Sequence, residues 1–243
     1  MGITHHGRTE RLDLADPTLR EWQCAVLYSG PEGIVLDRSA FYPGGGGQPP
    51  DHGVLLWQGV QTRIVGTRKG DDLYLIPEEG DPVPPAGTAV TGAVEDERRT
   101  LLMRTHSGLH VLCGVVFRDF GALVTGGNMQ PGEARMDFNL PQVPADFKSR
   151  LEDLVNAEIA ADRRIEVRVL PREEALAIPD IVRTQAALIP HDEPEIRVVD
   201  IVGLDSQADG GTHVASTAQV GRVRVTKVES KGRANRRVRL RLE

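Results

Sequence analysis

Leu101-Leu-Met-Arg-Thr-His-Ser-Gly-Leu-His-Val-Leu-Cys-Gly-Val-Val-Phe117 is where the chain changes its hydrophobic period. Leu101, Leu102, Thr105, Leu109, Leu112 and Val116 return at spacings of three and four, and no Pro interrupts before Gly121. The run from residues 95–117 therefore predicts an amphipathic helix. On such a helix His106 and His110 stand at i and i+4 and project from one face. Cys113 projects from the same face, but an unpaired Cys is commonly a small buried hydrophobe, so the reading leaves it out of any ligand set.

Upstream of this helix the period is two. Residues 24–28, 33–37, 53–57, 62–65 and 72–76 are short β-like runs broken by Gly and Pro, the pattern of a small barrel. The turn-rich stretch Glu78-Glu-Gly-Asp-Pro-Val-Pro-Pro-Ala-Gly87 marks the neighbourhood of a boundary. Downstream, a second helix is expected over residues 144–162, with Phe147, Leu151, Leu154, Val155 and Ile159 as its apolar stripe. A strand over 165–170 stopped by Pro171, a short helix over 172–177, a strand over 195–202 and a C-terminal hairpin follow. The expectation is an α+β protein: a β-barrel domain over 1–92 and an α/β two-layer sandwich with a metal site over 93–243.

The C-terminal hairpin carries an uneven charge. Between Gly221 and Glu243 nine basic residues stand against Glu229 and Glu243, although the whole chain of 243 residues has a net charge of −6. Alternation puts Val223, Val225, Val238, Leu240 and Leu242 toward a core and Arg222, Arg224, Arg237, Arg239 and Arg241 outward, with a turn around Lys231-Gly232. Two readings of that face stay open: a solvated surface that keeps an edge strand soluble, or a track for phosphates. The acidic total argues against indiscriminate coating of nucleic acid.

With 40% hydrophobic residues the composition is that of a soluble globular protein. No apolar run reaches the length of a membrane span, and the start MGITHHGRTE carries no secretory signal. Cys24 and Cys113 are few and far apart, which fits a reducing compartment, and the expected location is cytoplasmic. Oligomeric state leaves no trace in the sequence.

Two segments carry chemistry. Asp209-Gly-Gly-Thr-His213 repeats the His-x3-His gap in another form, since Gly210 and Gly211 disfavour a helix and make this a tight loop. Such a loop brings little packing surface, and its His and carboxylate complete a set of N and O ligands with His106 and His110. Zinc suits imidazoles and one carboxylate best. The other segment is Phe41-Tyr-Pro-Gly-Gly-Gly-Gly-Gln-Pro-Pro-Asp-His-Gly53. Four successive glycines exceed the need of one turn, so bare backbone is expected close to a ligand, with Gln48 offering an amide and Asp51 a carboxylate. No Lys-Ser/Thr pair follows, which sets aside a phosphate loop.

Taken with Arg104-Thr-His-Ser-Gly-Leu-His110, Arg135-Met-Asp-Phe138 and Gly210-Gly-Thr-His213-Val-Ala-Ser-Thr217, these segments make the chain resemble the alanyl-tRNA editing proteins. These are free-standing relatives of the editing domain of alanyl-tRNA synthetase, and the Gly-rich segment points to the members with an added N-terminal barrel. The resemblance implies a zinc-dependent deacylase that removes serine, and glycine, from mischarged alanine tRNA. It implies His106, His110 and His213 as zinc ligands. The family's cysteine falls on Asp209 here, so that Asp209 either ligates through oxygen or orients a water. Gln48, with Gly45, Gly46 and Gly47, is implied in the editing pocket beside Gly210 and Gly211. Thr105, Ser107 or Thr212 is implied as the reader of the serine hydroxyl, with Gln48, Asp209, Thr105 and Thr212 as the catalytic set. Two rivals remain: a metal-dependent hydrolase of a small ester or amide, and a tRNA-binding module whose metal is structural.

Overall fold

The computed structural model describes residues 5–179, 181 and 194–243. The chain divides into two compact units, Met1–Gly45 with Pro49–Thr100, and Gly46–Gln48 with Leu101–Glu243. The architecture is α+β, as the change of period predicts.

The first unit is built on a closed six-stranded antiparallel barrel. Its strands follow the order Glu21–Gly30, Gly33–Leu36, Leu73–Pro77, Val60–Lys69, Gly53–Trp57 and Ala89–Val94, and closure leaves no exposed edge. Five of the six coincide with β-like runs of the sequence. Ala89–Val94, which closes the barrel between Gly53–Trp57 and Glu21–Gly30, escapes a periodicity reading because Gly92 and small residues dilute its alternation. Trp22, Val26, Ile34, Leu36, Phe41, Leu55, Ile64 and Leu75 fill the interior.

Arg99 is fully buried in this unit. Its guanidinium donates to Asp51, to the carbonyl of Ala40 at 2.6 Å and to that of Pro17 at 2.8 Å. Asp51 also accepts the backbone N–H of Tyr42 at 2.7 Å. The carboxylate expected to face a ligand therefore neutralises a buried arginine instead, because neither charge is tolerable alone when both side chains are fully buried.

Among its described residues the second unit holds two antiparallel sheets and two long helices. One sheet runs Val124–Gln130, Glu133–Phe138, Arg236–Leu242, Val223–Ser230, and the other Ile165–Pro171, Glu195–Ile201, Asp205–Ala208. The helices are Asp96–Phe120, most of which lies in this unit, and Phe147–Ala160. Leu102, Leu109, Leu112 and Val116 from the first helix join Phe147, Leu151 and Val155 from the second. They share one core with Phe138, Val223, Val225, Val238 and Val199 from the sheets. Cys113 belongs to this core, and no disulfide joins it to Cys24. No helix among the described residues is long and apolar enough to cross a membrane.

Candidate metal centre

Helical spacing delivers the first pair of imidazoles as expected, with ring centroids of His106 and His110 5.0 Å apart. Alternation along Asp205–Ala208 then carries the chain into the loop that supplies Asp209 and His213. One ligand atom from each of His106, His110, Asp209 and His213 gathers within 4.8 Å of the others. Asp209 Oδ1 lies 3.6 Å from Nε2 of His106 and 4.0 Å from Nε2 of His110, while Oδ2 lies 3.1 Å from Nε2 of His213. The rings of His106 and His213 stack at 4.4 Å.

Gln48 fixes the tautomer of His106. Its Oε1 accepts the backbone N–H of Thr212 at 3.1 Å and meets Nδ1 of His106 at 2.9 Å, while its Nε2 donates to Thr212 Oγ1 at 2.9 Å. A flipped amide would set two N–H groups against each other, so Oε1 faces the ring, and Nδ1 must carry the proton. Nε2 of His106 therefore presents a lone pair toward the carboxylate. Two acceptors at 3.6 Å in a buried place repel unless a cation or a proton lies between them.

A similar support holds the ring of His213. Ser107 Oγ stands 3.1 Å from Nδ1 of His213 and accepts the N–H of Val214. Nδ1 of His110 makes no hydrogen bond among the described residues, and Asp205 Oδ2 is 3.8 Å away. Gly211 donates its N–H to Asp209 Oδ2 at 2.6 Å, and Arg197 donates to the Asp209 carbonyl at 2.9 Å. Groups that orient ligands through their second atom are the usual surroundings of a metal site.

Burial lowers the His106 imidazole well below its ordinary value and brings His213 down to about 4. For Asp209, burial pushes the carboxyl up, but the facing imidazoles of His106 and then the hydrogen-bonded His213 outweigh it and hold the group well below the usual carboxylate range. At neutral pH His106 and His213 are thus neutral imidazoles beside an anionic Asp209, the protonation state in which these groups can ligate a divalent cation. The donor set and its span fit one such ion.

A cavity of about 320 Å³ opens beside the cluster, lined by His106, His110, Asp209, Gly46, Gly47, Asn128 and Met129 among others. Gly46 and Gly47 adopt φ of 57° and 88°, a region that favours glycine, and the Gly47 carbonyl accepts the N–H of Met129.

Not every expected residue joins the cluster. The Thr105 hydroxyl donates to the Leu101 carbonyl at 2.6 Å and accepts the N–H of Gly132 at 3.0 Å, so it ties a helix turn to a hairpin. Gly45 lies in the barrel unit, where its carbonyl accepts from Tyr42 Oη, and Gly210 has open space around it. Arg222, Arg224, Arg237, Arg239 and Arg241 occupy the outer face of the four-stranded sheet. Each has a carboxylate: Glu243 serves Arg222 and Arg224, Asp137 serves Arg237, Glu229 serves Arg239, and Glu133 serves Arg241. Asp205, Arg197 and Asn128 escape a reading of the sequence alone. For Asp205 a signal existed, since Asp205, Gln207 and Asp209 follow one another at a spacing of two, the spacing of one strand face.

Residues 196–239 match the family described as the threonyl and alanyl tRNA synthetase second additional domain. The chain is 37% identical to the alanyl-tRNA editing protein AlaX-M of Saccharolobus solfataricus, over 95% of this chain and 97% of that protein. It is 32% identical to AlaX-M of Methanosarcina mazei over 95% of each. It is also 36% identical to the alanine–tRNA ligase of Pyrobaculum neutrophilum, of which it spans 25%.

Proposed function

The chain belongs to the alanyl-tRNA editing protein family, and from that premise we propose that it is a zinc-dependent deacylase acting in trans on mischarged alanine tRNA, with serine and glycine esters as substrates. The observation that carries this reading is the Gln48–His106 contact. It leaves an imidazole lone pair and a carboxylate facing each other in a buried cluster that calls for a cation.

His106, His110, His213 and Oδ1 of Asp209 would hold the zinc. Once bound, zinc supplies Lewis acidity at the ester carbonyl or at the attacking water. The chain's own residues do the rest. Gln48 and Thr212 hold His106, and Ser107 holds His213, so the ligands are in place before substrate arrives. Gly46 and Gly47 let backbone form a wall of the cavity without side chains, which leaves room for a small aminoacyl group. An aminoacyl ester is already activated, so positioning of water and charge stabilisation suffice without a covalent nucleophile. Arg222, Arg224, Arg237, Arg239 and Arg241 form the face offered to the tRNA. The need for such an enzyme is physical, because a pocket made for alanine discriminates poorly against glycine and against one added hydroxyl.

The test is release of serine and glycine from mischarged alanine tRNA, beside correctly charged alanine tRNA, before and after chelation and zinc return. Selective release restored by zinc supports the reading. Tightly held zinc with no release would point instead to a different ester substrate or to a structural metal.

A further inference from the structure

The outer face of the four-stranded sheet is ordered in rows. Register places Gln130, Glu133, Arg241 and Arg224 in one row, Asn128, Arg135, Arg239 and Lys227 in the next, and Gly126, Asp137, Arg237 and Glu229 in the third. The flanking rows each contain a carboxylate. The middle row contains none, so three cations stand directly opposite one another on adjacent strands, an arrangement that destabilises a sheet by itself. They draw on the third row for compensation: Glu229 serves both Lys227 at 2.9 Å and Arg239 at 2.8 Å, and Asp137 serves Arg135 at 3.5 Å as well as Arg237 at 2.7 Å. Four cations thus share two carboxylates, a positive island on a chain of net charge −6.

A cavity of about 350 Å³ lies over Asn128, Arg135 and Arg239 of this row and over Gln130, Glu133 and Arg241 of the row beside it, with Met129 also in its wall. Asn128 and Met129 also line the cavity beside the imidazoles. The row therefore leads from one edge strand of the sheet, across about 15 Å given the usual interstrand spacing, to the strand that forms the wall of the metal-site cavity.

We propose that Arg135, Arg239 and Lys227 form a phosphate track that holds the single-stranded 3′ end of the tRNA, delivering its terminal aminoacyl ester past Asn128 into the imidazole cavity. The proposal rests on the deacylase reading for its substrate and adds the path by which the ester arrives. Arg135 and Lys227 are new to the interface. Arg222 and Arg224, which share Glu243, flank the track and contribute general field. Guanidinium groups suit the role, since a fork of donors can hold its carboxylate and still reach a phosphate oxygen.

The experiment compares wild type, Arg135→Gln/Arg239→Gln and, as control, Arg168→Gln on the other sheet. Two substrates are used: seryl-tRNA(Ala) and 3′-O-seryl-adenosine, which has no phosphate. The double variant is expected to lower the ratio of kcat/KM for tRNA over minimal ester about 100-fold, roughly tenfold for each charge-assisted hydrogen bond to phosphate that is removed. The slope of log affinity against log salt should fall by about 1.4, for two single-strand phosphates. The control keeps the wild-type ratio. A ratio within twofold of wild type and an unchanged slope overturn the track. If wild type cleaves neither substrate, the deacylase reading fails separately, and the track is read from the Kd of a short single-stranded RNA with the tRNA 3′-terminal sequence. A tenfold or greater weakening in the double variant supports it, and equal affinity overturns it.

Discussion

Gly211 and His106 are packed so closely that a Cβ on the glycine would stand 2.2 Å from Cε1 of the imidazole and 2.8 Å from Oε1 of Gln48. The glycine is needed for space, because the loop backbone runs against the ring whose lone pair faces Asp209. Gly211→Ala should displace His106 or the loop, at about 1–3 kcal/mol of stability. Zinc content after dialysis and the Tm check this; full zinc occupancy with an unchanged Tm would show that the loop has room to spare.

Gln48 supplies one acceptor oxygen to two buried donors, the Thr212 N–H and the His106 Nδ1–H. Gln48→Ala orphans both and frees the ring to turn, which should weaken zinc binding about 10–100-fold. Gln48→Glu keeps an acceptor for both donors, exchanges the donor toward Thr212 Oγ1 for a second acceptor and adds a buried negative charge, so its affinity should stay above that of Gln48→Ala. Chelator competition gives the order, and equal affinities for the Ala and Glu variants would remove Gln48 from the orienting role.

In the first unit, Asp51→Ala leaves the fully buried Arg99 without its carboxylate and should cost about 3–5 kcal/mol. Arg99→Met should be of similar severity, and the double variant should lose much less than the sum, since the charge left behind is the main penalty. Urea unfolding of the three variants measures the coupling; strict additivity would mean that the pair is not a unit.

Asp51 also shows how far the sequence could be read. The helix of His106 and His110 and the basic hairpin were legible because a period of 3.6 or 2 is written in their apolar residues. The His-x3-His gap and the Asp-Gly-Gly-Thr-His loop were legible because ligand chemistry restricts residue type. Asp51 carries no such mark: a carboxylate beside four glycines looks the same whether it meets a ligand or Arg99, 48 positions away. The hairpin Val124–Gln130 and Glu133–Phe138 was hidden for another reason, as Gly126 and Gly127 thin out its alternation. The contacts of the Thr105 hydroxyl depend on how its helix packs on the hairpin, and the carboxylate partners of the arginines on cross-strand register, neither of which residue spacing within one element reveals.

Acid should weaken the metal-free protein. His213, lowered to about 4 by burial, is neutral when folded, whereas the unfolded chain takes up its proton near 6.5. Below that value the unfolded state binds more protons, so this contribution to stability is present above about pH 6.5 and is lost as pH falls through about 4. His106, lowered in the same direction, adds to the trend. The Tm of chelator-treated protein should drop across that window, and by less in His213→Gln. A variant that tracks wild type throughout would assign the acid sensitivity elsewhere.

Asp209 stands where the resemblance places a cysteine, and its two oxygens have separate tasks. Oδ2 accepts from Gly211 at 2.6 Å, while Oδ1 faces His106 and His110. In Asp209→Cys the thiolate can replace Oδ1 toward a metal but cannot reproduce the bond to Gly211, whose buried N–H then lacks a partner at about 1–3 kcal/mol. The metal-free variant should therefore melt lower than the metal-free wild type. Zinc should recover more, because a soft ligand favours it over magnesium or manganese. The expected result is a larger rise in Tm on adding zinc for the variant than for wild type, and no comparable gain with manganese. An equal or smaller rise would mean that Asp209 does not donate to the metal and acts only by holding the loop against His213.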